Sequence, residues 1–276
     1  MQVSQSTITF IGGGNMAVAI YGGLLDNGFL SDQISVVDPS EKARQQAQGL
    51  GLSRVYGSVS EAIEDDLVVL AVKPQIASSV LASLKGKLSS STSVLSIMAG
   101  IDSRSLATML GLGDTSTIIR CMPNTPALVN EGMTALLSNS RCAEHGLALA
   151  EQVMGAVGKT LWVSKESDLD TVTAISGSGP AYFFLFMESL TDAAMRLGMP
   201  PEEARLLAVQ TAIGSAKLAA VSDDKLSQLR TNVTSPGGTT EQAVLSFEQA
   251  GLRAVVDDAV EAARIRSIEL SEEFGS

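Results

Sequence analysis

The first half of the chain alternates short apolar runs with stretches in which apolar residues recur at helical spacing. The apolar runs predict strands at 7–11, 34–37, 67–72, 93–100, 117–121, 133–137 and 160–163. The stretches between them predict helices, among them 59–65, 76–84 and 142–157. Near-continuous apolar strands separated by helices are typical of a parallel sheet covered on both faces. We therefore predict an α/β fold of Rossmann type, doubly wound with a mostly parallel sheet.

The pattern changes after residue 163, where helical segments rich in Ala, Leu and Glu follow and no further strand is predicted. Long helices are predicted at 181–197, 201–220 and 252–274. The chain thus divides into a dinucleotide-binding domain, 1–163, and an all-α domain, 164–276. A helical half with so many apolar residues would leave apolar faces exposed in a monomer. This predicts a homodimer formed through the C-terminal half, with a larger ring as an extension.

A glycine-rich turn, Gly12-Gly-Gly-Asn-Met-Ala17, joins the first predicted strand to the first predicted helix. In that context the spacing G-x-G-x-x-G/A is typical of dinucleotide binding. Gly12 permits the sharp turn, Gly14 lets a pyrophosphate approach the main chain, and Ala17 permits close packing of helix on strand. The alternative is a glycine turn that binds nothing.

Asp38 follows the second predicted strand and precedes a proline. An acidic residue there accepts hydrogen bonds from the adenosine ribose and repels a 2′-phosphate, which favours NADH. Ser40, Lys42 and Arg44 come directly after it and can accommodate a phosphate, so NADPH stays open. The alternative is an exposed Asp-Pro turn.

Polar residues also follow later strands, where the carboxyl ends of a parallel sheet gather their loops. Lys73 and Pro74 follow one strand, and Asn124, Thr125 and Pro126 follow another. Open α/β sheets bind ligands at this edge, so these loops are predicted to converge on one site.

A second candidate site lies in the helical half, where the turn Ser235–Gly238 leads into a helix that begins at Thr239 or Thr240. The first amides of a helix have no partner within it, and the helix dipole favours an anion there. Gly237 and Gly238 let the backbone approach a ligand, and the threonine hydroxyls donate hydrogen bonds. The alternative is an ordinary helix start after a Pro-Gly turn.

Composition excludes several classes of function. The chain has 276 residues and a formal net charge of -11, with no cluster of Lys and Arg, which argues against nucleic-acid and anionic-membrane partners. Two cysteines provide neither a disulfide scaffold nor a metal site. The first residues lack the basic segment of a signal peptide, and no apolar run is long enough to span a bilayer. We expect a soluble cytoplasmic protein without a metal.

The single histidine, His145, is expected at the surface, which argues against His–Asp alcohol oxidation and excludes catalytic triads. Hydride addition to a ketone needs a proton donor for the developing alkoxide. Addition to a protonated imine does not, because the acceptor is already cationic. A site poor in strong acids and bases therefore favours imine reduction.

The chain resembles the pyrroline-5-carboxylate reductases over essentially its whole length. The matching segments are Phe10–Met16, Ala71–Gln75, Met122–Pro126, Ser176–Tyr182 and Val233–Thr240, of which the last is the signature loop of that family. The resemblance implies reduction of 1-pyrroline-5-carboxylate to L-proline with NADPH or NADH, the last step of proline biosynthesis. It also implies dimers with interlocked helical domains, often assembled into decamers.

The resemblance further implies roles for single residues. Ser235, Gly237, Gly238 and Thr239 would bind the substrate carboxylate, and Thr240 would bond the ring nitrogen as the catalytic residue. The implied cofactor-binding residues are Gly12, Gly14, Asn15, Met16, Asp38, Ala71, Val72, Lys73, Pro74, Met98, Ala99 and Gly100, of which Lys73, Pro74 and Met98–Gly100 would flank the nicotinamide.

Two alternatives share this scaffold. One is another imine or 3-hydroxyacid oxidoreductase, with the same fold and a different substrate. The other is a protein that senses the nucleotide without turnover, although such a sensor has no physical need for the threonines behind Gly237 and Gly238.

Overall fold

The computed structural model describes residues 6–59, 63–113, 116–139 and 143–274. The chain forms two compact units, Met1–Ser178 with Ala263–Ser276, and Gly179–Ala262. The predicted boundary between a dinucleotide-binding domain, 1–163, and an all-α domain, 164–276, stays a prediction. By packing, the residues from 164 to 178 and the end of the C-terminal helix belong with the first unit.

The first unit contains one eight-stranded sheet in the order β3-β2-β1-β4-β5-β6-β7-β8. Its strands are β1 Ile8–Ile11, β2 Ile34–Val37, β3 Arg54–Tyr56, β4 Leu67–Leu70, β5 Ser93–Ser96, β6 Ile118–Met122, β7 Gly132–Ser138 and β8 Gly158–Trp162. Only the β6–β7 pair is antiparallel among them. The predicted Rossmann-type, mostly parallel sheet is confirmed.

Helices cover both faces of the sheet. They are α1 Asn15–Asp26, α2 Glu41–Gly49, α3 Pro74–Leu84, α4 Ser103–Leu110, α5 Glu144–Gly155 and α6 Glu166–Val172. Alternate strand residues such as Phe10 and Val36 pack with α1 and α5 on one face. The next residues along these strands, Ile11 and Val37, pack with α3 and α4 on the other face. Burial on both faces explains why the strands are apolar without alternation.

Two local predictions differ from the structure. The helix predicted at 59–65 falls partly on residues 60–62, outside the described residues, and Ile63 forms a β-bridge with Leu88 rather than a helical turn. The helix predicted at 142–157 is α5, which begins at Glu144, and Cys142 lies outside the described residues. The short edge strand β3 was not predicted, because its three residues mix polar and apolar side chains.

The second unit is helical, as predicted. Its elements are α7 Gly179–Arg196, α8 Pro201–Val221, α9 Leu226–Asn232, α10 Thr239–Gln249 and the first part of α11 Leu252–Phe274. Large apolar side chains of α7 are exposed at Phe183, Phe184, Leu185 and Phe186, with exposed fractions between 44% and 69%. Among the described residues, helices of sufficient length and apolarity to cross a membrane are absent.

Two adjacent glycines of α1 provide a test of its packing. A Cβ on Gly23 would lie 2.5 Å from the Val157 side chain and 2.9 Å from the Ala156 carbonyl oxygen, whereas one on Gly22 would meet nothing within 4 Å. Because the carbonyl belongs to the backbone, Gly23→Ala is expected to destabilise the protein by about 1–3 kcal/mol through overpacking. Thermal unfolding measures the effect.

Gly22→Ala is the matched control. It adds the same methyl group to the same helix in open space, and it is expected to stabilise by up to about 1 kcal/mol through helix propensity. Equal melting temperatures for the two variants would contradict the close packing of α1 on Ala156 and Val157.

Candidate functional site

The sheet changes its winding direction between β1 and β4, which lie side by side although β2 and β3 separate them in sequence. From β1 the chain moves to one edge, and from β4 it moves toward the other. At such a switch point the loops after the two strands part, and the crevice between them is where open α/β sheets bind ligands. Here those loops are Gly12–Gly14 and Ala71–Pro74, both predicted cofactor-binding segments.

Gly12 has no room for a side chain. Its backbone has φ +102°, its amide donates to the Val37 carbonyl at 2.9 Å, and a Cβ would lie 2.5 Å from the Ala71 carbonyl oxygen. Both the left-handed backbone and the contact with β4 therefore require glycine here. Gly14, in contrast, has nothing within 4 Å of its Cβ position, so its surface is open to a ligand.

The first turn of α1 presents unpaired amides. Gly14 is the residue before the helix, and the amides of Asn15, Met16 and Ala17 form no hydrogen bond within the described chain. Asn15 is exposed, while Met16 is partly buried against the core. Free amides at the start of a 12-residue helix are suited to a pyrophosphate. The glycine turn therefore has the geometry of a dinucleotide cradle.

Asp38 connects this turn to the end of β2. Its carboxylate accepts hydrogen bonds from the Gly13 amide at 2.7 Å and the Ser40 amide at 2.8 Å. Its position is half-buried, so the plain exposed Asp-Pro turn does not describe it. Sequence reasoning missed the bond to Gly13, because a local pattern does not show which loop a carboxylate will contact.

Arg44 lies beside Asp38. Its Nη1 donates to the carbonyl oxygens of Asp38 at 2.9 Å and Pro39 at 2.8 Å, which orients the guanidinium along the loop after β2. An arginine held there is a suitable partner for a 2′-phosphate, because its planar group donates several hydrogen bonds. The loop therefore contains both an acceptor for ribose hydroxyls and a cation for a phosphate.

The remaining predicted cofactor residues lie at the ends of β4 and β5. Ala71 and Val72 are half-buried, and the exposed Lys73 precedes α3, which begins at Pro74. After β5, Met98 is 2% exposed, Ala99 is half-buried, and Gly100 is buried with φ +76°. The structure thus gathers these predicted residues at the carboxyl edge of four neighbouring strands.

Two ionisable groups near this edge are kept neutral. Burial raises the pKa of Tyr21 to about 12, and the negative charge of Asp38 adds to the shift. Burial also raises the pKa of the Cys121 thiol, an effect that Arg120 partly opposes. The raised pKa values favour the protonated form of both groups near neutral pH.

The loop predicted to bind an anion lies in the second unit, between α9 and α10. Gly237 has φ +71°, and the Gly238 amide donates to the Ser235 carbonyl at 3.0 Å, which closes the turn. Gly238 is the residue before α10, so that Thr239 and Thr240 form its first two positions. The predicted helix start is therefore correct.

Several donors of this loop have no partner within the described chain. They are the amides of Thr239, Thr240 and Glu241 and the hydroxyls of both threonines, and both threonines are exposed. The Gly237 amide is different, since it donates to the Glu241 carboxylate at 2.8 Å. One amide of the loop is therefore already paired with a carboxylate of the chain itself. A glutamate three residues after the helix cap was the signal that could have revealed this contact.

An ion-pair network holds the helices on either side of the loop. Arg230 of α9 lies 3.0 Å from Glu248 of α10, which also pairs with Arg253 of α11 at 2.7 Å. Hydrogen bonds from Arg253 lower the pKa of Glu248, with further contributions from the charges of both arginines. The pairs are exposed, so their role is to orient the helix ends more than to stabilise the fold.

Other polar residues singled out by sequence have structural roles. The Asn124 side chain donates to the Ser176 carbonyl at 3.0 Å and accepts from the Met133 amide at 2.9 Å, so its polar atoms serve the fold. His145 is exposed on α5, as predicted. Within the described ranges, no group of three or more His, Cys, Asp or Glu side chains has the arrangement of a metal site.

Comparison with known proteins gives two profile matches. Residues 166–270 match the family described as "Pyrroline-5-carboxylate reductase dimerisation". Residues 7–100 match the family described as "NADP oxidoreductase coenzyme F420-dependent".

Whole proteins also match. The pyrroline-5-carboxylate reductase of Pseudomonas aeruginosa is 43% identical over 274 residues, which cover 99% of this chain and 100% of that protein. The solved structure of a pyrroline-5-carboxylate reductase from Coxiella burnetii has a TM-score of 0.90 and 41% identity, covering 97% of this chain and 99% of that one. That of the Plasmodium falciparum pyrroline carboxylate reductase with NADP bound has a TM-score of 0.83 and 34% identity, covering 98% and 99%.

The geometry around Arg44 predicts a difference between the two nicotinamide cofactors. Arg44→Ala is expected to raise KM for NADPH about tenfold more than KM for NADH, because only NADPH has a phosphate to lose that charged partner. Steady-state kinetics with each cofactor measures the ratio. Any disturbance of the loop carbonyls affects both cofactors and cancels in that ratio, so an unchanged ratio would remove Arg44 from phosphate recognition.

Proposed function

The chain belongs to the pyrroline-5-carboxylate reductase family, and we propose that it reduces 1-pyrroline-5-carboxylate to L-proline with NADPH or NADH. It is an NAD(P)H-dependent oxidoreductase that acts on a CH–NH bond, and this reaction is the last step of proline biosynthesis. The observation that supports the substrate is the set of free donors at the start of α10, where five amide and hydroxyl groups have no partner within the described chain.

The glycine turn and its surroundings suit the cofactor. Gly12 permits the sharp turn, Gly14 leaves space for the pyrophosphate, and the amides of Asn15 and Met16 would bind it. Asp38 would accept hydrogen bonds from the adenosine ribose, and Arg44 would bind the 2′-phosphate when NADPH is used. We assign the nicotinamide end to the segments Ala71–Pro74 and Met98–Gly100.

The turn Ser235–Gly238 and the first residues of α10 would bind the substrate. The free amides of Thr239, Thr240 and Glu241 would donate hydrogen bonds to the two oxygens of the substrate carboxylate. The dipole of α10 adds to this attraction. In a chain of net charge -11, such local dipoles offset the repulsion that an anionic substrate meets.

The reaction needs orientation more than acid–base chemistry. When bound, the reduced nicotinamide supplies a hydride for the imine carbon, C2, of the protonated pyrroline ring. The electron pair of the C=N bond returns to nitrogen, so that the product amine is neutral and no alkoxide has to be protonated. Thr240 would hold the ring nitrogen through its hydroxyl. Holding two reactants in reactive geometry contributes roughly 7–11 kcal/mol to such a reaction.

Turnover with a panel of substrates tests this function. Oxidation of NADH or NADPH is expected with 1-pyrroline-5-carboxylate and not with 2-keto acids. In the reverse direction, reduction of the oxidised cofactor is not expected with 3-hydroxyacids. Preference for a keto acid or hydroxyacid would favour the alternative oxidoreductase, and cofactor binding without any turnover would favour a nucleotide sensor.

In the same assay, Thr240→Ala is expected to lower kcat about tenfold to a hundredfold, the loss typical of a hydrogen bond to a charged group. Cofactor affinity should stay unchanged, because Thr240 is not one of the residues assigned to the cofactor. Thr240→Ser keeps the hydroxyl and should retain most of the activity. A Thr240→Ala variant with wild-type kcat would remove the catalytic role of this residue.

The apolar surface of the second unit supports a homodimer. Phe183–Phe186 and Leu206 and Leu207 are exposed on α7 and α8, and the matched family description names dimerisation. Light scattering is expected to give the mass of a dimer or a multiple of it, and Phe184→Glu should shift that mass toward the monomer. A monomeric wild-type protein at micromolar concentration would contradict this. The decamer and the cytoplasmic location stay predictions.

A further inference from the structure

Hydrogen bonds fix both ends of the segment Met98–Asp102, which lies between β5 and α4, and two of its side chains are buried. At its start the Met98 amide donates to the Ser96 hydroxyl at 3.3 Å. At its end Asp102 caps α4 through the Ser105 amide at 2.7 Å. Ile101 is 1% exposed and Met98 2%, so these two side chains anchor the loop in the core. All of these contacts lie within the first unit.

Glu166, the first residue of α6, binds the end of this loop. One carboxylate oxygen accepts from the Ser103 amide at 3.1 Å and from the Ser103 hydroxyl at 2.9 Å. The other forms an ion pair with Arg120 of β6, whose side chain is only 10% exposed. The Nε of Arg120 is buried and has no partner among the described residues. A carboxylate that receives three donors is fixed in place, and so is Ser103.

The last turns of α11 form the other support. A Cβ on Gly100 would lie 3.0 Å from the Leu270 carbonyl oxygen and 3.3 Å from the Phe274 ring, so α11 packs directly beneath this glycine. Phe274 also packs against the apolar cluster that contains Met98 and Ile101. One turn earlier in α11, the Ser267 hydroxyl donates to the Asp170 carboxylate at 2.8 Å.

Both supports therefore start from one short helix. Glu166 and Asp170 are four residues apart on α6, so they project from the same face. Glu166 holds the segment after Gly100, and Asp170 holds the helix beneath it. Leu169, between them, is 4% exposed and fixes α6 on the sheet.

We propose that Glu166 and Asp170 are positioning residues that fix the loop Met98–Gly100 against the nicotinamide. This inference rests on the proposed function, which assigns that loop to the nicotinamide end of the cofactor. Neither carboxylate is among the residues assigned to the cofactor or the substrate. Their effect on the reaction passes through Ser103 and through α11, and it is an effect on orientation.

Ser267→Ala and Glu166→Ala test the two supports separately. Each variant is expected to lower kcat about tenfold and to weaken NADH binding about tenfold. The reason is that a displacement of about 1 Å of the loop that positions the nicotinamide is costly. Binding of ADP-ribose, which lacks the nicotinamide, should stay within about twofold of wild type, since the glycine turn is untouched. Nicotinamide fluorescence and calorimetry give the two dissociation constants.

Ser267→Thr keeps the hydroxyl and should restore wild-type values. Glu144→Gln is the control for Glu166, because Glu144 is also the exposed first residue of a helix in this unit and should change nothing. If Glu166→Ala does not fold because Arg120 is left unpaired, Ser267→Ala alone decides. Unchanged kcat and NADH affinity in Ser267→Ala, or an equal loss of NADH and ADP-ribose binding, would overturn the inference.

The same measurements separate this inference from the proposed function. A wild-type protein that does not turn over 1-pyrroline-5-carboxylate contradicts the function, whereas the difference between NADH and ADP-ribose binding still reports on the loop. A wild-type protein that turns over this substrate, with Ser267→Ala indistinguishable from it, contradicts only the positioning role.

Discussion

Unpaired backbone amides at the first turns of two helices, α1 and α10, are the donors that we propose attract negatively charged ligands to this acidic chain. With a net charge of -11, the overall field opposes both a dinucleotide and a carboxylate substrate. Backbone dipoles act over a short range and add no net charge, so they bind an anion locally without changing that field. Each of these helix starts follows glycines, because a side chain at those positions would block the approach. Gly12 is required for a different reason, because the Ala71 carbonyl leaves no space for even a methyl group on it.

Side chains around these amides refine what they bind. Asp38 couples the glycine turn to the end of β2, so that one carboxylate fixes the shape of the turn proposed to bind the pyrophosphate and is also the proposed acceptor for the ribose. Arg44 supplies a positive charge to the same loop. The coexistence of the two explains why sequence alone leaves NADH and NADPH open: each residue favours a different cofactor. In the second unit, Glu241 binds the Gly237 amide, so that the loop keeps its shape through an internal carboxylate.

Much of this arrangement follows from local sequence. The strands, the glycine turn and the helix start at Thr239 depend on residues close together in the chain, and the structure contains each of them. The strands predicted at 67–72 and 93–100 are shorter, because β4 ends at Leu70 and β5 ends at Ser96. The short strand β3 escaped prediction because it lies at the edge of the sheet, where a mixed tripeptide has no distinctive pattern. The bond from Gly13 to Asp38 escaped it because 25 residues separate the partners and only the winding of the sheet brings them together.

The contacts that support the loop Met98–Gly100 are even harder to predict from local sequence, because their partners lie further apart in the chain. Glu166 reaches Ser103 across 63 residues of sequence, and Ser267 reaches Asp170 across 97. In sequence these are ordinary polar residues at helix surfaces, and nothing in their spacing marks a partner. Yet a hydride transfer that uses little acid–base chemistry depends on orientation, and orientation is set by such distant contacts. The motifs assigned to the ligands are therefore visible in the local sequence, whereas the residues that hold those motifs in place emerge only from the packed structure.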